Sequence, residues 1–196
     1  QLRIALGSIQ VNKRVDDLFD DAIYCVAQAR DDRSIEGATT DVTPPLGPGQ
    51  AHSFSFIDGT FFGREAPRDP GERLNITYDC AEQDGAAEYQ RLREAFEQLA
   101  QLARILSPQN TAFIASAAQA TDIAARIAAA FDTDDRLFHA EESLTRQDLW
   151  QLIQEPPRRL ERSGTHNLSD WAWELQVVFS GCASASAPQP TPQPTP

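Results

Sequence analysis

Methionine is absent from this 196-residue sequence, and lysine occurs once, as Lys13. The 17 basic residues are outnumbered by 29 acidic ones, which gives a formal net charge of −12. Such a chain repels polyphosphate and has no basic stripe that could release counterions, so no nucleic acid is expected among its partners. It also lacks a run of about 20 apolar residues, so no membrane-spanning helix is predicted.

The fingerprints of common enzyme classes are missing as well. The sequence contains no GxSxG, GxxxxGK[ST], GxGxxG or HExxH motif, so we assign no catalytic residues. Three cysteines, Cys25, Cys80 and Cys182, form no CxxC pair and indicate neither a disulfide framework nor a zinc ribbon. Pairing of Cys25 with Cys80 stays open. Because methionine is absent, we expect a processed piece of a larger soluble or extracytoplasmic bacterial protein.

Several segments have the alternating apolar pattern of β-strands. In the last of them, residues 171–179, alternate side chains are apolar and are expected to face a core. Residues 15–30 fit either a helix or a loop followed by a strand, and we favour the strand because its neighbours are strands. Loops are predicted at 31–50 and 58–72, which contain proline and glycine. The predicted strands are residues 2–11, 22–30, 51–57, 73–80, 137–142 and 171–179.

Helical patterns occur at two places. Apolar residues repeat at spacings of three and four along residues 86–131, on both sides of Ser107-Pro108. This spacing predicts two helices that pack as an antiparallel hairpin. A shorter helix is predicted at residues 144–154, ended by Pro156-Pro157.

The last residues, 183–196, contain a proline at every second position from Pro188 onwards and no apolar side chain large enough for a core. This composition is typical of a solvated linker of polyproline-II character. We therefore predict an α+β fold, an antiparallel β-sandwich with an inserted antiparallel helical hairpin and a disordered Pro-rich C-terminal tail. The predicted parts are a sandwich domain at 1–84 and 132–181, the hairpin at 85–131 and the linker at 182–196.

Acidic residues gather beside the predicted strand ends, outside the hairpin. If the strands alternate in direction, the loop at 31–50 and both ends of the hairpin lie at one end of the sandwich. Like charges so close repel unless a cation or arginines intervene, and Ca²⁺ takes about six to eight oxygen ligands. The alternative is a solvated acidic surface. The candidate metal ligands are Asp31, Asp32, Asp79, Glu82, Asp84, Asp132, Asp134 and Asp135.

This layout resembles the C2-type β-sandwich family in its short strands, its acidic loops at one end and its closing Trp-x-Trp-x-Leu-x-Val strand. The resemblance covers residues 2–84 and 132–180 and rests on arrangement, because the Ser-Asp-Pro-Tyr signature that usually follows the first calcium loop is absent. It implies Ca²⁺ as cofactor and a membrane surface as a partner reached only through Ca²⁺. It also implies oxygen-ligand roles for Asp31, Asp32, Asp79, Asp84, Asp132 and Asp134.

The function we predict is a non-enzymatic binding module of a larger protein, with a protein partner and with calcium dependence through the acidic loops. One alternative is protein–protein association through the helical hairpin. Another is a hydrolase that uses His139 together with Glu142 or the acidic end.

Overall fold

The computed structural model describes residues 1–14, 21–82, 94, 136–166 and 169–181, and all structural statements concern these residues. Within them, nine strands and two short helices follow one another along the chain. Their bounds are β1 Leu2–Lys13, β2 Ile23–Arg30, β3 Ile35–Thr39, β4 Ala51–Ser53, α1 Phe56–Gly59, β5 Thr60–Phe62, β6 Arg73–Glu82, β7 Arg136–Thr145, α2 Arg146–Gln154, β8 Arg158–His166 and β9 Ser169–Gly181.

The strands form two antiparallel sheets. The first sheet has the order β4-β1-β9-β8, and β5 also pairs with β1. The second sheet has the order β3-β2-β6-β7. The chain passes from the second sheet to the first through α2, which lies between β7 and β8.

One hydrophobic core lies between the inner faces of the two sheets. Alternate residues of β1, β6 and β9 supply it, as their sequence pattern predicts. Across the core, the ring of Phe61 from β5 meets the ring of Tyr78 from β6 edge to face, with centroids 5.9 Å apart. The five predicted core residues of β9 are all buried: Trp171, Trp173, Leu175, Val177 and Phe179.

The predicted α+β class is wrong. Strands make up most of the described chain, and its two helices have four and nine residues. The sequence patterns in this part have a period of two, which suits a half-buried sheet rather than a helix face. Apart from residue 94, the predicted hairpin at 85–131 and the Pro-rich tail at 182–196 lie outside the described residues, and the division into domains stays a prediction.

Three strands occur where loops or no strand were predicted, namely β3, β5 and β8. Two of them contribute few core side chains: only Ala38 is buried in β3, and among the described side chains of β8 only Leu160 is. β5 has only three residues, and all of them are buried. These strands form because a neighbour offers a complete ladder of hydrogen bonds, which tertiary context supplies and local pattern does not. β8, for example, pairs with β9 from Arg158↔Val177 to His166↔Ser169 without a register shift.

The predicted strand at 51–57 ends early, at Ser53, and the chain turns into α1. Ser55 caps this short helix by accepting a hydrogen bond from the Asp58 amide. Gly59 packs directly against the backbone of Leu6, where a Cβ would collide with the Leu6 carbonyl oxygen. As a result Phe56 and Ile57 are 57% and 70% exposed, although alternation predicted one of them in the core.

Two open points of the sequence analysis are decided by the fold. Residues 23–30 form a strand, which confirms the strand interpretation over the helix for this part of 15–30. Cys25 of β2 and Cys80 of β6 lie directly opposite each other and form a disulfide, with both residues fully buried. No helix of the described chain is long and apolar enough to cross a membrane.

Candidate functional site

Four of the eight predicted metal ligands are described, and they do not meet at one end of the sandwich. The register of β2 and β6 pairs Arg30 with Asn75 and Ile23 with Glu82. Asp31 and Asp32, which follow Arg30, therefore lie at the opposite end of this strand pair from Glu82. The remaining predicted ligands lie outside the described residues: Asp84, Asp132, Asp134 and Asp135.

The predicted convergence is wrong for these residues. It assumed that the predicted strands alternate in direction, and β3 was not among them. This strand pairs antiparallel with β2 and adds one reversal. β4 and β5 both pair antiparallel with β1, so these two strands run in the same direction and add no reversal between them. β6 therefore runs opposite to β2 instead of alongside it.

Asp31 is engaged in a structural contact between the two sheets. Its carboxylate is fully buried and accepts hydrogen bonds from the Arg33 and Ser34 amides, at 2.9 and 2.7 Å. Nη1 of Arg68 donates to the same carboxylate at 2.8 Å. Burial by itself raises the pKa of Asp31, but these hydrogen bonds and the charge of Arg68 outweigh it and leave the pKa below its usual value.

Arg68 extends this contact to a second acid and to a ring. Its guanidinium also pairs with Glu36 and lies 4.2 Å from the centroid of the Phe62 ring. The backbone of Arg68 exchanges two hydrogen bonds with Leu2 of β1. Asp32, in contrast, is exposed and has Arg33 at 3.9 Å. We call the pair Asp31–Arg68 the clasp, because it joins the end of β2 to the first sheet.

Asp79 meets a histidine on the outer face of the second sheet. It lies opposite His139 in the register of β6 and β7, and Oδ1 of Asp79 is 2.8 Å from Nδ1 of His139. Oε1 of Glu141 lies 3.5 Å from the other ring nitrogen. Across the described ranges, no group of three or more His, Cys, Asp or Glu side chains is placed to hold a metal ion.

The pair of His139 and Glu142, suggested by the hydrolase alternative, is not formed. These residues are three apart on β7 and face opposite sides of the sheet. Glu142 instead accepts a hydrogen bond from the Tyr78 hydroxyl at 3.4 Å and lies 2.6 Å from Nη2 of Arg158. Burial, together with the negative charge of Glu142, raises the pKa of Tyr78 well above its usual value.

A cleft of about 510 Å³ lies beside α2 and was not predicted from the sequence. Most of its exposed surface is polar and comes from Gln1, Asp69 and Arg146. Its apolar part consists of the partly exposed Trp150 and Ile153, above the buried Leu2, Pro70 and Leu149. The volume falls within the range of about 300–1,000 Å³ that is usual for ligand pockets. The available signal was Trp150, an aromatic residue in a predicted helix whose buried positions are Leu149 and Leu152.

An ion pair between Arg146 and Asp69 forms the rim of this cleft. The hydrogen bond and the charge of Arg146 lower the pKa of Asp69 below its usual value. The cleft therefore combines one aromatic side chain with a mainly polar lining in which these two opposite charges are paired. The two charged side chains that line it are already paired with each other, so the arrangement suits binding rather than proton transfer.

The helix that carries Trp150 is held in place at its first turn. Thr145 and Asp148 form a capping box, and the Arg146 amide donates to the Glu72 carbonyl oxygen at 3.2 Å. Leu149 and Leu152 anchor the helix in the core. One wall of the cleft is therefore a fixed part of the fold.

Comparison with known proteins identifies no family for this chain. No family model matches it, and no curated protein matches it. Among solved structures it is similar to human GIVD cytosolic phospholipase A2 in complex with methyl gamma-linolenyl fluorophosphonate, with a TM-score of 0.32 and 9% identity. The match covers 93% of this chain and 17% of that chain, so this chain spans less than a fifth of that protein's length. At this TM-score the likeness carries no argument, and the established description is a β-rich chain with two antiparallel sheets.

Proposed function

We propose that this chain is a non-enzymatic binding module that holds a segment of a partner protein in the cleft beside α2. The observation that carries the proposal is the partly exposed Trp150 in a cleft that is also lined by Ile153 and by the Arg146–Asp69 pair. Tryptophan is enriched among residues that dominate protein interfaces, and such residues lie in apolar centres surrounded by polar rims.

The fixed position of α2 supports the proposal energetically. A wall that is already in place loses little conformational freedom when a ligand binds, so more of the contact energy appears as affinity. Leu149 and Leu2, which also line the cleft, are each 2% exposed and belong to the core. The apolar surface left for a partner's side chain is that of the partly exposed Trp150 and Ile153.

Calcium dependence, a C2-like character and a membrane surface reached through Ca²⁺ remain predictions from the sequence. Asp31 and Asp79, two of the predicted oxygen ligands, are already paired with Arg68 and His139. This favours a cleft that works without a metal ion. The buried Cys25–Cys80 disulfide supports a location where thiols are oxidised.

A peptide-display selection tests the proposed function. A random peptide library is selected on the full chain, and the enriched peptides are measured against Trp150→Ala and against the control Ile57→Ala. Ile57 is exposed and lies outside the cleft. We expect the dissociation constant to rise by about 30-fold in Trp150→Ala, the loss of a strong interface residue, and to stay unchanged in Ile57→Ala.

Two results would contradict the proposal. One is a selection that enriches no peptide, and the other is a set of peptides that bind Trp150→Ala as tightly as the unmodified chain. Running the selection with calcium and again with a chelator tests the sequence-based calcium prediction at the same time, because a calcium-dependent module enriches peptides only in the first condition.

A further inference from the structure

The chain itself carries a segment suited to the cleft. Residues 187–196 read Ala-Pro-Gln-Pro-Thr-Pro-Gln-Pro-Thr-Pro, with five prolines in ten positions. Such a sequence favours the polyproline-II conformation already in the unbound state, so it has little conformational entropy to lose on binding. Segments of this kind bind in grooves lined by aromatic side chains.

The position of the last described strand brings this segment close to the cleft. β9 ends at Gly181, which pairs with Leu2 of β1. A Cβ built on Gly181 would collide with the Gln1 carbonyl oxygen and lie 3.2 Å from Cδ1 of Ile153. Gln1, Leu2 and Ile153 all line the cleft, so the chain leaves β9 at its rim.

The length of the connection is sufficient for binding within one molecule. Six residues, 182–187, lie between Gly181 and the first proline, Pro188, and an extended chain spans up to about 3.3–3.6 Å per residue. A connection of this length gives an effective concentration in the millimolar range when it behaves as a short linker. A contact with a dissociation constant of about 100 μM would then be occupied roughly ten times more often than it is free.

From these observations we infer that the proline-rich segment 187–196 binds in the Trp150 cleft of its own chain and competes there with the partner. The inference rests on the proposed function, since it concerns the regulation of the same cleft. A partner has to displace the segment, so its apparent affinity falls by the fraction of time for which the cleft is free.

The test keeps the full chain and changes only the five prolines. In one variant Pro188, Pro190, Pro192, Pro194 and Pro196 are all replaced by serine, which preserves length. A synthetic peptide with the sequence of residues 187–196 and a fluorescent label is added to this variant and to the unmodified chain, and binding is followed by the fluorescence anisotropy of the label. The fluorescence of Trp150 is used only for quenching, where the buried Trp171 and Trp173 serve as a constant background.

We expect the peptide to bind the five-serine variant and to bind the unmodified chain roughly tenfold more weakly, because the native segment competes. Binding to both is lost when Trp150→Ala is added, and a peptide with serine in place of proline binds neither chain. A collisional quencher is also expected to reach Trp150 more readily in the five-serine variant.

Equal affinity of the peptide for both chains would overturn the inference, and so would its failure to bind the five-serine variant. These results are distinct from a failure of the proposed function. If peptides from the display selection bind through Trp150 while the 187–196 peptide does not, the cleft is a binding site and only the internal competitor is wrong.

Discussion

The two sheets of this protein are held together by different means. In the first sheet, β1 and β9 pair along their lengths, from Leu2↔Gly181 to Lys13↔Ala172, and large aromatic side chains fill the inner face. In the second sheet, the central strands β2 and β6 are joined by the Cys25–Cys80 disulfide. The first sheet thus gains its stability from buried apolar area in the folded state. The second gains part of it by restricting the unfolded chain.

Among the variants that test this comparison, Trp173→Ala is expected to lower the free energy of unfolding most. The side chain is fully buried in the first sheet, and its Nε1 donates to Oδ2 of the buried Asp21 at 3.0 Å. We expect the free energy of unfolding to fall by about 5 kcal/mol, from lost burial together with a lost buried hydrogen bond. Urea denaturation at neutral pH measures it.

The matched control for this test is Trp173→Phe, which keeps most of the buried area and removes only the donor to Asp21. We expect it to cost about 2 kcal/mol. If Trp173→Ala costs less than the loss of the disulfide, the first sheet does not depend on its aromatic core more than the second depends on its covalent bond.

Removing the disulfide has the next largest expected effect. The double variant Cys25→Ala and Cys80→Ala opens a loop whose ends are 55 residues apart. On the chain-entropy account this costs about 4 kcal/mol at 25 °C. Thermal melts with and without reductant measure it.

Reductant provides the control for this prediction. It should lower the melting midpoint of the unmodified chain, whose unfolded state becomes reducible, and leave the double variant unchanged. A double variant that melts at the same temperature as the unmodified chain without reductant would show that packing alone holds β2 to β6, and that the two sheets do not differ in the way described.

The clasp between the sheets gives an intermediate effect with a distinct pH dependence. Asp31→Asn keeps an acceptor for the Arg33 and Ser34 amides but loses the charge facing Arg68. Because Arg68 is partly exposed, we expect a loss of about 2 kcal/mol at pH 7, at the lower end for buried pairs.

The direction of the pH effect follows from the lowered pKa of Asp31. A carboxyl group whose pKa is lower when folded stabilises the fold above its unfolded pKa of about 3.9 and loses that contribution as the pH falls through the folded value. The stability difference between the unmodified chain and Asp31→Asn should therefore shrink in acid below that point. A difference that stays constant between pH 7 and pH 2 would exclude the clasp as its source.

The smallest effect on the free energy of unfolding is expected in α2, the helix that connects β7 of the second sheet to β8 of the first. Thr145→Ala removes the cap of α2, which costs about 1 kcal/mol. Thr145→Ser keeps the capping oxygen and should leave the free energy of unfolding nearly unchanged. Since α2 carries Trp150, the alanine variant should also weaken peptide binding in the cleft, and equal binding by both variants would show that the cleft does not depend on the cap.

The part of the fold that could be predicted lies in the strands with a strong internal pattern. In β9, tryptophan, leucine, valine and phenylalanine alternate with other residues, so one face had to be buried. β8 had no such pattern, since Leu160 is the single buried residue among its described side chains. The position of β8 is set by its backbone hydrogen bonds to β9, the strand that follows it in the chain.

The candidate site was less predictable than the fold. Acidic clusters are visible in the sequence, but the distances between them depend on the directions of the strands. Because β3 adds a reversal that was not predicted, Asp31 and Glu82 lie at opposite ends of the β2–β6 pair. The cleft combines α2 with Leu2 and with Pro70, which are far apart in the chain. No pattern among neighbouring residues in the sequence predicts that these residues line one cleft.

The sequence by itself determined the acidic character, the strands whose inner faces are apolar, the short helix at residues 146–154 and the proline-rich end. These follow from composition and from periodicity, which are properties of neighbouring residues. The tertiary structure alone decided the pairing of Cys25 with Cys80, the partner of each carboxylate and the cleft around Trp150. These depend on which strands lie side by side, and that is settled by packing between residues distant in sequence.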